Sequence, residues 1–214
     1  MKIVSDKMAK SYKRKGETRE VIPDLILIFS EGTRTEPNYF KSFKLNTVAL
    51  LTIGTGRNTI SLIRFIDRTV DNIIRRYAKD NSINVGDMDY RVWCVFDKDD
   101  FEDDNFNNSI RMAESRGYYV AYSNEAFELW YVLHFDYLNT GVSRKQYCSI
   151  LSDKLEHKYE KSSEDMYKYL ISRQNIAIKH SQNLLTTYPD NCSPVTMNPA
   201  TTVHELVMYL NKFR

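Results

Sequence analysis

Three carboxylates carry the clearest chemical potential in this chain. Glu31 follows the apolar run Leu25–Phe29 and Ser30, and Asp97 and Asp99 follow a second run, Tyr90–Phe96. Lys98 lies between the two aspartates and Asp100 extends the group. A hard divalent cation takes oxygen ligands, commonly one or two carboxylates with water and substrate phosphate completing the shell. Carboxylates delivered from two strand ends to one edge repel each other, and a bound divalent metal is the economical remedy. Lys98, Arg34 or a helix N-terminus can supply the positive charge instead. An Asp-x-Asp or a single Glu is weak as a motif. The information lies in the pair, on strands that the topology would make neighbours.

The elements that position these groups follow from the spacing of apolar residues. Leu25–Ser30 suits a strand buried on both faces, as in a parallel sheet. Pro37 opens a helix to about Leu45, and Thr47–Ile53 reads as the second strand. Asn58 or Thr59 caps a long helix to about Lys79, in which Ile60, Ile63, Ile66, Val70, Ile73, Ile74 and Tyr77 recur at helical spacing. A polar loop over 80–89 leads to the third strand, Tyr90–Phe96. A helix from about Asn105 to Ser115, closed by Gly117, precedes the fourth, Tyr118–Tyr122. Asn124 is expected to cap a helix through Phe127, Trp130, Tyr131, His134 and Tyr137. Beyond Gly141 no strand is expected: 143–160, 163–185 and 202–213 read as helices, the last opened by a Thr202–Glu205 capping box. The pattern predicts an α/β fold, Rossmann-like, with a parallel four-stranded sheet and helices on both faces. Ligands of such sheets bind at the carboxyl ends of the strands. The expected organisation is a basic tail over 1–20, an α/β domain over 21–140 and a helical C-terminal extension over 141–214 packed on the same domain.

The chain has 214 residues, 30 of them Lys or Arg and 28 Asp or Glu. Net charge is therefore uninformative about partners, although the first twenty-one residues are locally basic and suit either a solvated tail or a nucleic-acid backbone. Cys94, Cys148 and Cys192 stand far apart without a C-x-x-C pair, which points to buried or incidental thiols rather than zinc ligands or disulfides. No apolar run has transmembrane length and no signal-peptide core opens the chain, so a cytoplasmic protein with no membrane association is expected.

The segments FSEGTRTEPNYF, VFDKDDF, SNEAFELWYVLHF and NPATTVHEL, over about residues 20–214, resemble the RloB family of small bacterial proteins. The Glu closing one strand and the Asp-x-Asp closing a later one resemble the Toprim domain. This is the metal-dependent domain of topoisomerases, bacterial primases and overcoming-lysogenization-defect nucleases. The resemblance implies a metal-dependent nuclease acting on DNA or RNA in antiphage defence, beside an RloA-type ATPase partner. By similarity Glu31 acts as general acid/base, while Asp97 and Asp99 hold Mg²⁺ or Mn²⁺. Glu31 can equally serve as a third ligand, and phosphodiester cleavage needs both a charge-neutralising metal and a proton carrier. A topoisomerase would need large further domains, and a primase a zinc-binding module.

The neighbouring residues have two readings each. Arg34, in the loop with Glu36, can grip phosphate with its planar fork or close a loop salt bridge. Asp100 extends the metal site or begins the acidic loop 102–104. Glu125 and Glu128 suit the first turn of a helix on dipole grounds, yet Glu128 belongs to the family motif and starts from the same sheet edge as Asp97. Gly54–Thr59 resembles an anion cradle without the Lys-Ser/Thr of a nucleotide loop; Arg57 would then meet a substrate phosphate. His134 is expected in the core, and His157, His180 and His204 at surface or structural positions. Two other functions fit the same residues: a haloacid-dehalogenase-like phosphohydrolase with an Asp nucleophile, and a non-catalytic docking subunit. Oligomeric state is not readable.

Overall fold

Six consecutive buried residues make the first strand, β1 (Leu25–Ser30), an interior strand of the sheet. The computed structural model describes residues 22–98 and 103–214. The basic tail over 1–20 and the residues Asp99 and Asp100 lie outside the described residues. Side chains alternate across β1. Leu25, Leu27 and Phe29 pack with α2 (Thr59–Asp80) and α3 (Asp103–Glu114). Ile26 and Ile28 face an aromatic layer that includes α1 (Thr35–Lys41), α4 (Glu128–Val132) and the C-terminal helices. Burial on both sides is what a parallel strand requires.

The other strands are β2 (Ala49–Gly54), β3 (Tyr90–Asp97), β4 (Tyr119–Asn124) and β5 (Ala200–Thr201), in the order β2-β1-β3-β4-β5. β1, β2, β3 and β4 run parallel, with Ser30 opposite both Gly54 and Val95, and β5 is antiparallel to β4. The sheet is thus mixed and five-stranded, not four-stranded and parallel. A strand beyond Gly141 escapes the sequence because two residues carry no periodicity. Its attachment relies on hydroxyls: Tyr122 N–H donates to Thr202 Oγ1 at 2.9 Å and Thr201 Oγ1 donates to Tyr122 O at 3.0 Å.

Helix α2 starts where expected, with Asn58 Oδ1 accepting from Ser61 N–H at 3.3 Å. Its buried stripe contains Leu62, Ile63, Ile66, Val70, Ile74 and Ala78. Gly117, φ +74°, follows α3 and turns the chain into β4. The capping role expected of Asn124 is corrected: it ends β4, and its amide donates to Val195 O at 2.9 Å. The helix that follows is five residues long, not a run to Tyr137. An aromatic-rich segment buried on every side offers no periodicity from which to read its length.

Four further α-helices follow: α5 (Arg144–Leu155), the short α6 (Met166–Leu170), α7 (Gln174–Leu185), joined to α6 by a 3₁₀ turn, and α8 (Val203–Asn211). The Thr202–Glu205 capping box is absent because the Thr202 hydroxyl serves β4; Ser143 N–H instead meets Gln146 Oε1 at 2.9 Å to open α5. Leu170, Ala177, Leu206 and Leu210 share one core with Ile26, Ile28 and Val95 of the sheet. Among the described residues no helix is long and apolar enough to cross a membrane.

Candidate functional site

The ladder between β1 and β3 continues one residue past β1 and fixes the backbone of Glu31. Its N–H donates to Val95 O at 2.9 Å, and its carbonyl accepts from Gly56 N–H at 2.9 Å. Ser30 Oγ donates to Gly32 O at 2.9 Å and tightens the turn. A side chain at Gly32 would run into the Glu36 carboxylate, which accepts the Gly32 N–H at 3.3 Å. Gly54 is needed for a similar reason: a Cβ there would stand 2.7 Å from Gly32 O and Thr33 Cα. The two glycines let the ends of β1 and β2 close on the loop that carries Glu31.

Asp97 is the last residue of β3 and therefore ends the strand adjacent to β1. Glu31 and Asp97 line one cleft of about 290 Å³ at the carboxyl edge of the sheet, together with Arg34, Glu36, Glu128, Arg144 and Lys161. Arg144 enters from the first residue of α5 and places Nη2 3.5 Å from Asp97 Oδ2. Lys161 sits in the loop between α5 and α6. That loop is tied to α1 by Thr35 Oγ1 donating to Lys161 O at 3.1 Å and Asn38 Nδ2 donating to Ser162 O at 3.2 Å. Lys161 Nζ lies 3.3 Å from Glu128 Oε1, which also accepts the Tyr159 hydroxyl at 3.3 Å.

Burial and crowding set the electrostatics. Burial raises the Asp97 carboxyl well above the usual carboxylate range; Glu36 and Glu128 raise it further, and Arg144 opposes them. Burial also raises Glu36, with Glu128 adding to the effect while the Gly32 N–H and Lys161 oppose it. Both shifts express the cost of holding negative charge in a place with few counter-ions. Asp97 Oδ1 is buried and meets no donor at hydrogen-bonding geometry among the described residues, although the Phe127 backbone N–H acts on the carboxyl and, with Arg144, lowers its pKa. A buried carboxylate flanked by other acids suits a hard cation. No group of three or more His, Cys, Asp or Glu side chains among the described residues is arranged to hold a metal ion. The described donors therefore fit Mg²⁺ or Mn²⁺ only as a shell of one or two carboxylates completed by water and substrate.

Of the residues singled out from sequence, Glu31, Arg34, Asp97 and Glu128 come together in this cleft. Arg34 is exposed there and makes no ion pair with a described residue. Lys98 donates its backbone N–H to Ser123 O at 2.9 Å and is not among the described residues lining the cleft. Arg57 lines a different groove, and the loop around it is no open anion cradle, since the N–H groups of Thr55 and Gly56 are spent on Ser30 O and Glu31 O. His134 is buried, with Nδ1 2.8 Å from Trp130 O, and burial lowers its pKa to about 4. Glu36, Arg144 and Lys161 are the cleft residues that sequence reasoning did not assign. Glu36 carried a faint signal, an acid in a helix's first turn beside the Glu31 loop. Arg144 and Lys161 carried none, because only the tertiary fold brings them near Asp97 and Glu128.

The family model described as RloB-like protein matches residues 26–210, most of the chain. No curated protein and no solved structure matches it.

Proposed function

The chain belongs to the RloB-like family, and from that premise we propose that it is a metal-dependent nuclease of the Toprim type, hydrolysing phosphodiester bonds of DNA or RNA in defence against phage. One observation carries the reading: Glu31 and Asp97, distant in sequence, close adjacent strands and line the same cleft. Asp97, with Asp99 beyond the described residues, would hold Mg²⁺ or Mn²⁺, and Glu31 is placed to join them. Asp100 is a further candidate ligand. Glu128 Oε1 is committed to Lys161 and Tyr159, so Glu128 serves first to hold Lys161 at the cleft wall.

When bound, the metal neutralises charge that develops on the phosphoryl oxygens. The chain's own groups do the rest. Arg144 holds Asp97 Oδ2, which leaves Oδ1 for the cation. Glu31, its backbone pinned between β2 and β3, carries a proton to or from the phosphodiester oxygen. Arg34 and Lys161 bring positive charge to the strand's phosphates. Control by an RloA-type ATPase belongs to the same proposal and rests on the family.

A second reading is a non-catalytic docking subunit built on the same fold. A haloacid-dehalogenase-like phosphohydrolase is less well supported, because β1 ends in Glu31 and the Asp strand is the third in the chain. Incubating the purified protein, with and without an RloA-type ATPase, on DNA, tRNA and total RNA in Mg²⁺, Mn²⁺ or EDTA separates the three. The nuclease reading predicts cleavage of at least one polymer that EDTA abolishes. Phosphomonoester hydrolysis alone, or phage protection unchanged by Glu31→Gln, would overturn it.

A further inference from the structure

Arg57, Arg64 and Arg68, with Ser61 and Phe65, line a second groove of about 180 Å³ at the N-terminal end of α2. Positions 61, 64, 65 and 68 are three and four residues apart, so they share one face of the helix. Arg57 precedes the helix and reaches that face by laying its guanidinium over the Phe65 ring, 4.7 Å from the centroid, a cation–π contact that holds the head group in place. All three arginines are exposed, and none makes an ion pair with a described residue. The nearest acid in sequence, Asp67, is committed elsewhere, to Arg116 at 2.6 Å and the Tyr118 hydroxyl at 3.2 Å.

Three like charges gathered in a groove whose described lining holds no carboxylate repel each other, Asp71 lying one turn beyond Arg68 and outside that lining, and the positive end of the α2 dipole adds to the field. An anion of matching extent relieves both. Guanidinium groups suit phosphate in particular, because their planar forks donate two parallel hydrogen bonds to its oxygens. The groove is also physically tied to the carboxylate cleft. Gly56 N–H donates to Glu31 O and Thr55 N–H to Ser30 O at 3.0 Å, so covalent geometry keeps the Cα atoms of Arg57 and Glu31 within about 10 Å. That is at most about three nucleotides at the 3.4 Å rise of one strand.

We infer that the Arg57–Arg64–Arg68 groove binds the phosphodiester backbone of a nucleic-acid strand, without reading its sequence, within a few nucleotides of the carboxylate cleft. The inference deepens the nuclease reading and rests on it only for the claim that the bound strand is also the substrate.

The test is fluorescence anisotropy of the full chain with a labelled, mixed-sequence single strand of RNA or of DNA, in EDTA, over a series of salt concentrations. The variant Arg57→Ala/Arg64→Ala/Arg68→Ala is compared with wild type and with Lys154→Ala/Lys168→Ala/Lys179→Ala, which removes the same charge elsewhere. The groove predicts that only the arginine variant weakens binding, by about 10-fold at low salt. It also predicts a slope of log affinity against log salt shallower by about 2, because each lost phosphate contact on a single strand removes about 0.7. Equal losses in both triple variants, or no loss in either, would overturn it, as would displacement of the strand by ATP as readily as by unlabelled strand. A slope change without Mg²⁺-dependent cleavage upholds the groove and counts against the nuclease. Cleavage by wild type with an unchanged slope in the variant does the reverse.

Discussion

The sheet divides two layers that differ in what they bury. The layer of α2 and α3 is largely aliphatic: Leu62, Ile63, Ile66, Val70 and Ile74 pack on Leu25, Leu27 and Val92, and among the described residues its helices bury only Thr59 and Ser109 as polar side chains. The opposite layer is rich in aromatics, with Tyr39, Phe40, Phe43, Phe127 and Tyr131 linked by ring contacts and Trp130 in the same cluster, and it buries Glu36, Glu128, His134, Gln174 and His204. Burying an ionisable group costs free energy unless it is paired. The aliphatic layer therefore sets stability, while the aromatic layer spends some of it to hold charge beside the cleft. Edge-to-face aromatic pairs, each worth about 1 kcal/mol beyond area, help to offset that cost.

The largest contrast should come from paired substitutions. Asp97→Asn is expected to weaken Mn²⁺ binding by at least about 100-fold, the upper end of what losing even an outer-shell partner costs. It should leave the melting temperature unchanged or higher, because it removes a crowded, desolvated charge. Calorimetric titration with Mn²⁺ and a thermal melt check both halves, and loss of fold with no change in metal affinity would break the distinction. Ile66→Ala, in the aliphatic layer and fully buried, should cost about 2–5 kcal/mol in chemical denaturation with Mn²⁺ affinity intact.

The third effect is smaller and depends on pH. His134 binds its proton near pH 6.5 when unfolded but only near pH 4 when folded, because burial opposes the charge. Between those values the unfolded chain binds more protons, so stability is full above pH 6.5 and falls as pH drops toward 4. The loss is about 1.4 kcal/mol per pH unit and about 3 kcal/mol in all. His134→Gln should flatten that limb in denaturation measured across the window, whereas Ile66→Ala should shift the whole curve without changing its slope. A limb equally steep in His134→Gln would move the acid sensitivity to another group.

This division also explains what the sequence made legible. Strand β1, helix α2 and the positions of Glu31 and Asp97 at adjacent strand ends could be read, because unbroken apolar runs and three-and-four spacing are local signals of burial. Strand β5 could not: it is two residues long, too short to carry any periodicity. The span of α4 was overread because Phe127 to Leu133 is buried all round and shows no polar face. Arg144 and Lys161 were invisible as cleft residues because their partners are carboxylates on other elements, and nothing in the local spacing of either marks the pairing. What the sequence hid lies mostly in the layer held together by long-range polar contacts.

The central claim is that Glu31 acts in a metal-dependent cleavage centre. Its most direct test compares cleavage rates of wild type and Glu31→Gln on the polymer that wild type degrades, at saturating Mg²⁺ and with Mn²⁺ affinity and melting temperature measured on both. The account predicts a rate at least about 100-fold lower in Glu31→Gln from a protein that still folds. An unchanged rate would contradict it.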